Sequence, residues 1–253
     1  MNEKDQLARV ITKVDALKSR LKDLGGVATW EQIYQNIERY YTPAKSAHDW
    51  KAALRGVLYR ELYSNRNFKK IGLGLFALVE YEDTPAPPIQ EPQRWHSYVE
   101  GVCLEIGNYF HYLTYTPDRS AKFKGNVQLR ELASVADIPE FTYPEVIRVV
   151  RKIDVTWLNK EGYSFPQRAF EIVHTPSTLA EALNRCLQLI HFNTSFTIVG
   201  SKEQRQVFNT RLKHEPYVRF VDRFDYKDYT TVIDMYEKSV RLDEVKRDFF
   251  KRD

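Results

Sequence analysis

Four prolines within Glu82–Arg94 (Pro85, Pro87, Pro88 and Pro92) argue against any single fold running unbroken through this 253-residue chain. Each proline fixes its own φ, removes a backbone donor and pushes the residue before it toward extended backbone. Such a density makes a semi-rigid spacer. The expected organisation is therefore a first domain over residues 1–81, a linker over 82–94 and a second domain over 95–253. Charge divides at the same place. Residues 1–82 hold 14 Lys/Arg against 10 Asp/Glu, and the remainder holds 24 of each, so the net charge of +4 belongs to the N-terminal segment. An excess of this size suits phosphate contacts, and a solvated face produces it equally well.

In the first domain, residues 4–24 carry a heptad pattern, with Leu7, Val14 and Leu21 at one position and Val10, Leu17 and Leu24 at the other. The pair Gly25-Gly26 ends it. Three heptads can close against their own domain or against a second copy, which leaves a homodimer open. Thr29 and Gln32 have capping-box spacing, and Trp30, Ile33, Tyr34, Ile37 and Tyr41 continue a helical stripe. A third helix is predicted from Ala47 to Tyr63, with Trp50, Leu54, Val57, Leu58 and Leu62 inward and Lys51, Arg55 and Tyr59 on another face. Residues 68–78 alternate around Gly72 and Gly74 like a small hairpin. Three helices and a hairpin are the plan of a winged helix-turn-helix.

In the second domain the pattern predicts a helix over His96–Phe110 and strands at Tyr112–Tyr115, Ile153–Leu158 and Ala169–His174. A helix at Thr178–Ile190, a strand at Phe196–Gly200, a helix around Lys202–Lys213, a strand at Val218–Val221 and a helix at Tyr226–Val240 follow, with a charged tail after Arg241 that frays or lies helical on the surface. Strands first, then helix–strand alternation, predict a mixed α/β sheet flanked by helices and hence a multi-domain α/β (α+β) chain.

Several function classes find no support. No run of about 18 apolar residues is long enough to span a membrane, and the charged N-terminus lacks a signal-peptide core. Cys103 and Cys186, far apart in apolar segments, read as buried reduced thiols. A cytoplasmic protein is expected. His96, His111 and His191 lack metal-ligand spacing, no nucleophile–His–Asp set stands out, and there is no P-loop or dinucleotide fingerprint.

The chemistry-bearing pattern is Ile153-Asp154-Val155-Thr156-Trp157 followed by Phe170-Glu171-Ile172-Val173-His174. Side chains alternate along a strand, so Asp154 opposes Ile153, Val155 and Trp157, and Glu171 and Val173 oppose Phe170 and Ile172. If the strands pair across a turn near Asn159–Gly162, Asp154 and Glu171 converge. Converging carboxylates suit a hard divalent cation, which can activate water for phosphodiester hydrolysis. The same carboxylates can instead pair with Arg151 or Lys152, and Asp118 in Thr116-Pro117-Asp118-Arg119-Ser120 reads as a turn residue.

With these residues the stretch resembles the PD-(D/E)XK nuclease superfamily over roughly residues 95–240. "IDVTW…AFEIVHT" is especially similar to restriction-type relatives that read "IDV-W…-FEVEHT". The resemblance implies a restriction-endonuclease-like fold and a Mg²⁺ site, with Mn²⁺ as a substitute. Its ligands would be Glu100 on the first helix (Glu105 in reserve), Asp154 and Glu171. Val173 stands where the family carries Lys or a second Glu, and strand alternation turns His174 to the opposite face. Three outcomes follow: the missing role moves to Lys152, Arg168, Arg185 or Gln188; the metal works with three carboxylates alone; or the fold binds DNA or a partner without cutting. Residues 5–80, through "ATWEQIY", "WKAALR" and "FKKIGLGLFAL", resemble the HARE-HTH winged-helix family, which implies duplex DNA contacts from Lys51 and Arg55 on the third helix and from Lys69 and Lys70 on the wing. Together they imply a Mg²⁺-dependent DNA endonuclease of restriction or defence type, working as a homodimer or beside a methyltransferase or other defence-system partner.

Overall fold

The computed structural model describes residues 12–46 and 48–249, and the chain divides into two compact units between Asp83 and Thr84, inside the proline-rich segment.

The first unit begins with helix α1 (Lys13–Asp23). Thr12 caps it through a reciprocal box with Asp15, which satisfies two of the orphan N–H groups of the first turn. Leu7 and Val10 of the heptad lie outside the described residues, while Leu17 and Leu21 are fully buried in the unit's own core. Gly25 and Gly26, at φ 84° and 93°, take the left-handed backbone that stops the helix. Strand β1 (Val27–Thr29), absent from the sequence expectation, follows. Helix α2 (Trp30–Tyr34) opens on the Thr29–Gln32 box but lasts five residues. Asn36 then turns left-handed at φ 58°, Ile37–Arg39 is a single 3-10 turn rather than more of the predicted helix, and Thr42–Lys45 is a second 3-10 turn. Helix α3 (Trp50–Ser64) starts after the predicted Ala47, which lies outside the described residues. Strands β2 (Phe68–Lys70) and β3 (Leu75–Leu78) form the hairpin, and β3 lies between β1 and β2 in a three-stranded antiparallel sheet. Leu17, Leu21, Ile33, Leu54, Leu58 and Phe76 pack as its core. Each such side chain contributes roughly 1.5–3 kcal/mol of burial.

In the second unit, helix α4 (Pro92–Tyr109) takes the last proline of the spacer as its first residue, where the missing N–H costs nothing. Strand β4 (Leu113–Tyr115), short helices α5 (Leu129–Leu132) and α6 (Pro144–Val150), and strands β5 (Val155–Leu158) and β6 (Pro166–Ile172) follow. Helix α7 (Pro176–Leu187), strand β7 (Ser195–Gly200), helix α8 (Gln204–Arg211), strand β8 (Phe224–Asp228) and helix α9 (Tyr229–Phe249) complete the unit. The sheet runs in order β4-β5-β6-β7-β8, antiparallel from β4 to β6 and parallel from β6 to β8. Trp157 and Phe170 pack together next to α4, with Trp157 Nε1 donating to Cys103 O at 3.1 Å. Ala169, Phe196 and Ile198 pack with Leu179, Leu183 and Cys186 of α7. Both cysteines are buried free thiols.

One predicted strand is corrected. Residues 218–221 belong to a 3-10 run, Tyr217–Arg223, and the edge strand is Phe224–Asp228, in part where a helix was expected to begin. Val218 and Val221, three residues apart, are 43% and 51% exposed, whereas Phe224 and Tyr226 alternate inward against β7. Among the described residues no helix is long and apolar enough to cross a membrane.

Candidate metal centre

Helix α4 sets His96 and Glu100 four residues apart, one turn above each other on the same side. Its close seat requires Gly101, since a Cβ there would lie 2.3 Å from the Phe123 ring. Asp154 comes from the chain just before β5, where β5 and β6 pair Val155 with Phe170, and its Oδ2 accepts the Ile172 N–H at 2.6 Å. His96 Nε2 stands 3.7 Å from Asp154 Oδ2 and 3.8 Å from Glu100 Oε1. Among the described residues these three form the one group of His, Cys, Asp or Glu whose ligand atoms all lie within 4.8 Å of one another, a possible metal-binding triad. A cleft of about 690 Å³ lined by Arg94, His96, Ser97, Asp118, Lys122 and His174 lies beside it.

Glu100 is 1% exposed. Its Oε1 accepts from Thr116 Oγ1 at 3.1 Å, and Oε2 is buried with no partner among the described residues. Burial first, then the neighbouring Asp154 and Asp118 charges, hold its carboxyl well above the usual carboxylate range. A buried carboxylate oxygen with no donor is a cost unless a cation satisfies it, and one imidazole nitrogen with two carboxylates is a donor set that a divalent ion accepts. The residues fit a metal.

Glu171 lies outside that triad. Alternation places it opposite Phe170, fully buried, where Arg185 of α7 grips it with Nε at 2.7 Å and Nη2 at 2.5 Å. Burial pushes its carboxyl up to about 8 while the Arg185 fork pulls the other way, and the same two bonds hold Arg185 firmly protonated. Val173 is buried in the apolar core with Leu179 and Leu183. Lys152 is exposed, Gln188 is exposed at the end of α7, and Arg168 lines a separate cleft of about 550 Å³ with Trp157, Phe170 and Met235. Glu105 is buried and accepts from Tyr236 at 2.5 Å, away from the triad. Asp118 sits in a turn, as expected, its N–H bonded to the Thr116 hydroxyl that also holds Glu100.

Sequence reasoning misses His96 as a ligand, although its i,i+4 relation to Glu100 is the available signal. His174 is a correction: β6 ends at Ile172, so alternation no longer governs it, and its ring lies 5.4 Å from that of His96. Burial, then His96, lowers the proton affinity of His174.

In the first unit, Lys51 and Arg55 lie exposed one turn apart on α3. Lys51 Nζ is 5.1 Å from the Tyr34 ring, and Arg55 Nη1 donates to the Tyr34 hydroxyl at 3.2 Å. Lys69 donates to Tyr81 O, and Lys70 is half-buried on β2. No family model, curated protein or solved structure matches the chain.

Proposed function

We propose that this chain is a metal-dependent DNA endonuclease of restriction or defence type, with a PD-(D/E)XK-like second unit and a winged-helix first unit that places it on duplex DNA. The observation that carries the reading is the His96–Glu100–Asp154 triad, set by a helix and the residue before an antiparallel strand pair, with a buried Glu100 oxygen left without a partner. The strand order β1-β3-β2 together with three helices supports the first half, and the antiparallel β4-β5-β6 run continued by parallel β7 and β8 supports the second. Glu100 and Asp154 would hold Mg²⁺ or Mn²⁺, and the His96 imidazole favours Mn²⁺. A bound cation supplies charge for the phosphoryl oxygens and acidity for a coordinated water. The Ile172 N–H fixes Asp154 and Thr116 fixes Glu100, and Lys51 and Arg55 would contact the duplex.

The test is incubation of the purified protein with Mg²⁺ or Mn²⁺ on plasmid DNA, unmodified and modified. Cleavage that falls at least about 100-fold in Asp154→Ala is expected. Intact DNA under every condition, or equal cleavage by Asp154→Ala, overturns the proposal.

A second reading has its own support: Val173 is buried in the core and Glu171 is held by Arg185, so the position of the family's lysine carries no polar group. On that reading the fold binds DNA without cutting. It wins if calorimetry shows no Mg²⁺ or Mn²⁺ binding while duplex DNA is still retarded in a gel.

A further inference from the structure

Two imidazole nitrogens near the triad have no hydrogen-bond partner among the described residues. His96 turns Nε2 toward Glu100 and Asp154, which leaves Nδ1 without one. His174 Nε2 is buried and also unpartnered. The two rings lie 5.4 Å apart, tilted by 49°. On its other side His174 is constrained by Tyr229, the first residue of α9, whose hydroxyl lies 3.0 Å from Val173 O and 2.9 Å from His174 Nδ1. A carbonyl only accepts, and a phenol has a single proton to give. With that proton on Val173 O, the contact with His174 requires Nδ1–H as donor and the Tyr229 oxygen as acceptor. The neutral ring then carries its lone pair on Nε2.

A histidine that ligates through Nε2 carries its proton on Nδ1 and needs an acceptor there. Such acceptors fix ring orientation and tautomer, and removing one typically costs roughly 10- to 100-fold in metal affinity. We propose that Tyr229 and His174 are positioning residues of the metal centre: Val173 O, the Tyr229 hydroxyl and His174 form a relay whose free end, His174 Nε2, would take up Nδ1–H of His96 when His96 Nε2 ligates a divalent cation. The proposal rests on the metal centre described above. Tyr229 is itself held by an edge-on contact with Trp95, rings 5.5 Å apart, next to His96 on α4.

The experiment is Mn²⁺ titration of the full chain as wild type, Tyr229→Phe, His174→Ala, His174→Gln and the His174→Gln/Tyr229→Phe double variant, with thermal unfolding of each as a control for folding. Tyr229→Phe keeps the ring and its packing on Trp95 and removes only the lock on the tautomer. A glutamine at 174 presents a carbonyl acceptor that has no tautomer to lock. Expected are a loss of about tenfold or more in Mn²⁺ affinity for Tyr229→Phe and His174→Ala, near-wild-type affinity for His174→Gln, and no further loss when Tyr229→Phe is added to it. A role confined to packing would make Tyr229→Phe equally harmful in both backgrounds, and that result overturns the relay. Wild-type affinity in Tyr229→Phe overturns it too. Failure of the wild type to bind Mn²⁺ removes the metal centre and the relay together, whereas binding by all five proteins alike removes the relay alone. If His174→Ala fails to fold, the comparison of Tyr229→Phe in the two backgrounds still decides.

Discussion

With Arg185 Nε and Nη2 at 2.7 and 2.5 Å from its two oxygens, Glu171 is a buried carboxylate gripped by a single guanidinium. Removing that neighbour strands a charge in the interior, which costs roughly 3–5 kcal/mol unless the group takes up a proton. Arg185→Ala is therefore expected to destabilise the protein most above about pH 8, the value to which burial lifts this carboxyl with Arg185 in place, and least below it, where the carboxyl is protonated in the folded variant. Urea unfolding at several pH values reads this, and a pH-independent loss would show that Arg185 acts by packing alone. Glu100 gives the complementary case. Its folded pKa is raised by burial, so the stability it contributes to the metal-free protein is present below the ordinary carboxylate range and lost as pH rises through the raised value. Cation binding needs the ionised form and runs the other way. Mn²⁺ affinity should rise with pH, with proton uptake by the buffer that calorimetry in buffers of different ionisation enthalpy detects. An affinity independent of pH, without proton release, would take Glu100 out of the ligand set.

Elements were legible in the sequence where a local rule and the tertiary context agree. The Thr29–Gln32 box, the Gly25-Gly26 stop and the pairing of the strand after Asp154 with the one that carries Glu171 follow from capping, left-handed backbone and alternation, and each is present. What was not legible depends on contacts between distant segments. Strand β8 exists because Phe224 and Tyr226 meet Phe196 and Ile198 of β7. The four-residue α5 and seven-residue α6 are too short to establish a period. At the candidate site, Asp154 could be found from its strand pattern and Glu100 only from the family resemblance, but the end of β6 at Ile172 decides where His174 points, and the Arg185 contact decides what Glu171 does. Local and tertiary demands also separate in two glycines. A Cβ added at Gly56 in α3 would meet nothing within 4 Å, so Gly56→Ala should raise stability by about 0.5–1 kcal/mol through lost backbone freedom in the unfolded chain. A Cβ added at Gly101 in α4 would meet the Phe123 ring at 2.3 Å, so Gly101→Ala should lower stability by roughly 1–3 kcal/mol. Chemical denaturation of the two variants tests the opposite signs, and equal effects would mean that Phe123 yields without cost.

At the scale of the whole molecule, the charge distribution would, on the proposed function, separate recruitment from hydrolysis. The net positive charge falls within residues 1–82, while the triad lies in the second unit. If Lys51 and Arg55 neutralise phosphates, each releases counterions, and the slope of log affinity against log salt carries about −0.9 per phosphate contacted on duplex DNA. Lys51→Ala/Arg55→Ala should then weaken binding across unrelated duplex sequences and make the slope shallower by about 2. Asp154→Ala should leave the slope unchanged while abolishing cleavage. Fluorescence anisotropy on a labelled duplex between about 50 and 200 mM salt resolves a change of that size, because several phosphate contacts shift affinity by orders of magnitude over this range. The contacts of Lys51 and Arg55 with Tyr34 bear on the outcome, since a side chain held in place loses less rotamer entropy when it meets a phosphate. Tyr34→Phe removes the Arg55 partner without changing charge, so it should weaken binding modestly and leave the salt slope as in the wild type. If the double alanine variant keeps the wild-type slope, the basic face of α3 is an ordinary solvated surface and the duplex is held elsewhere.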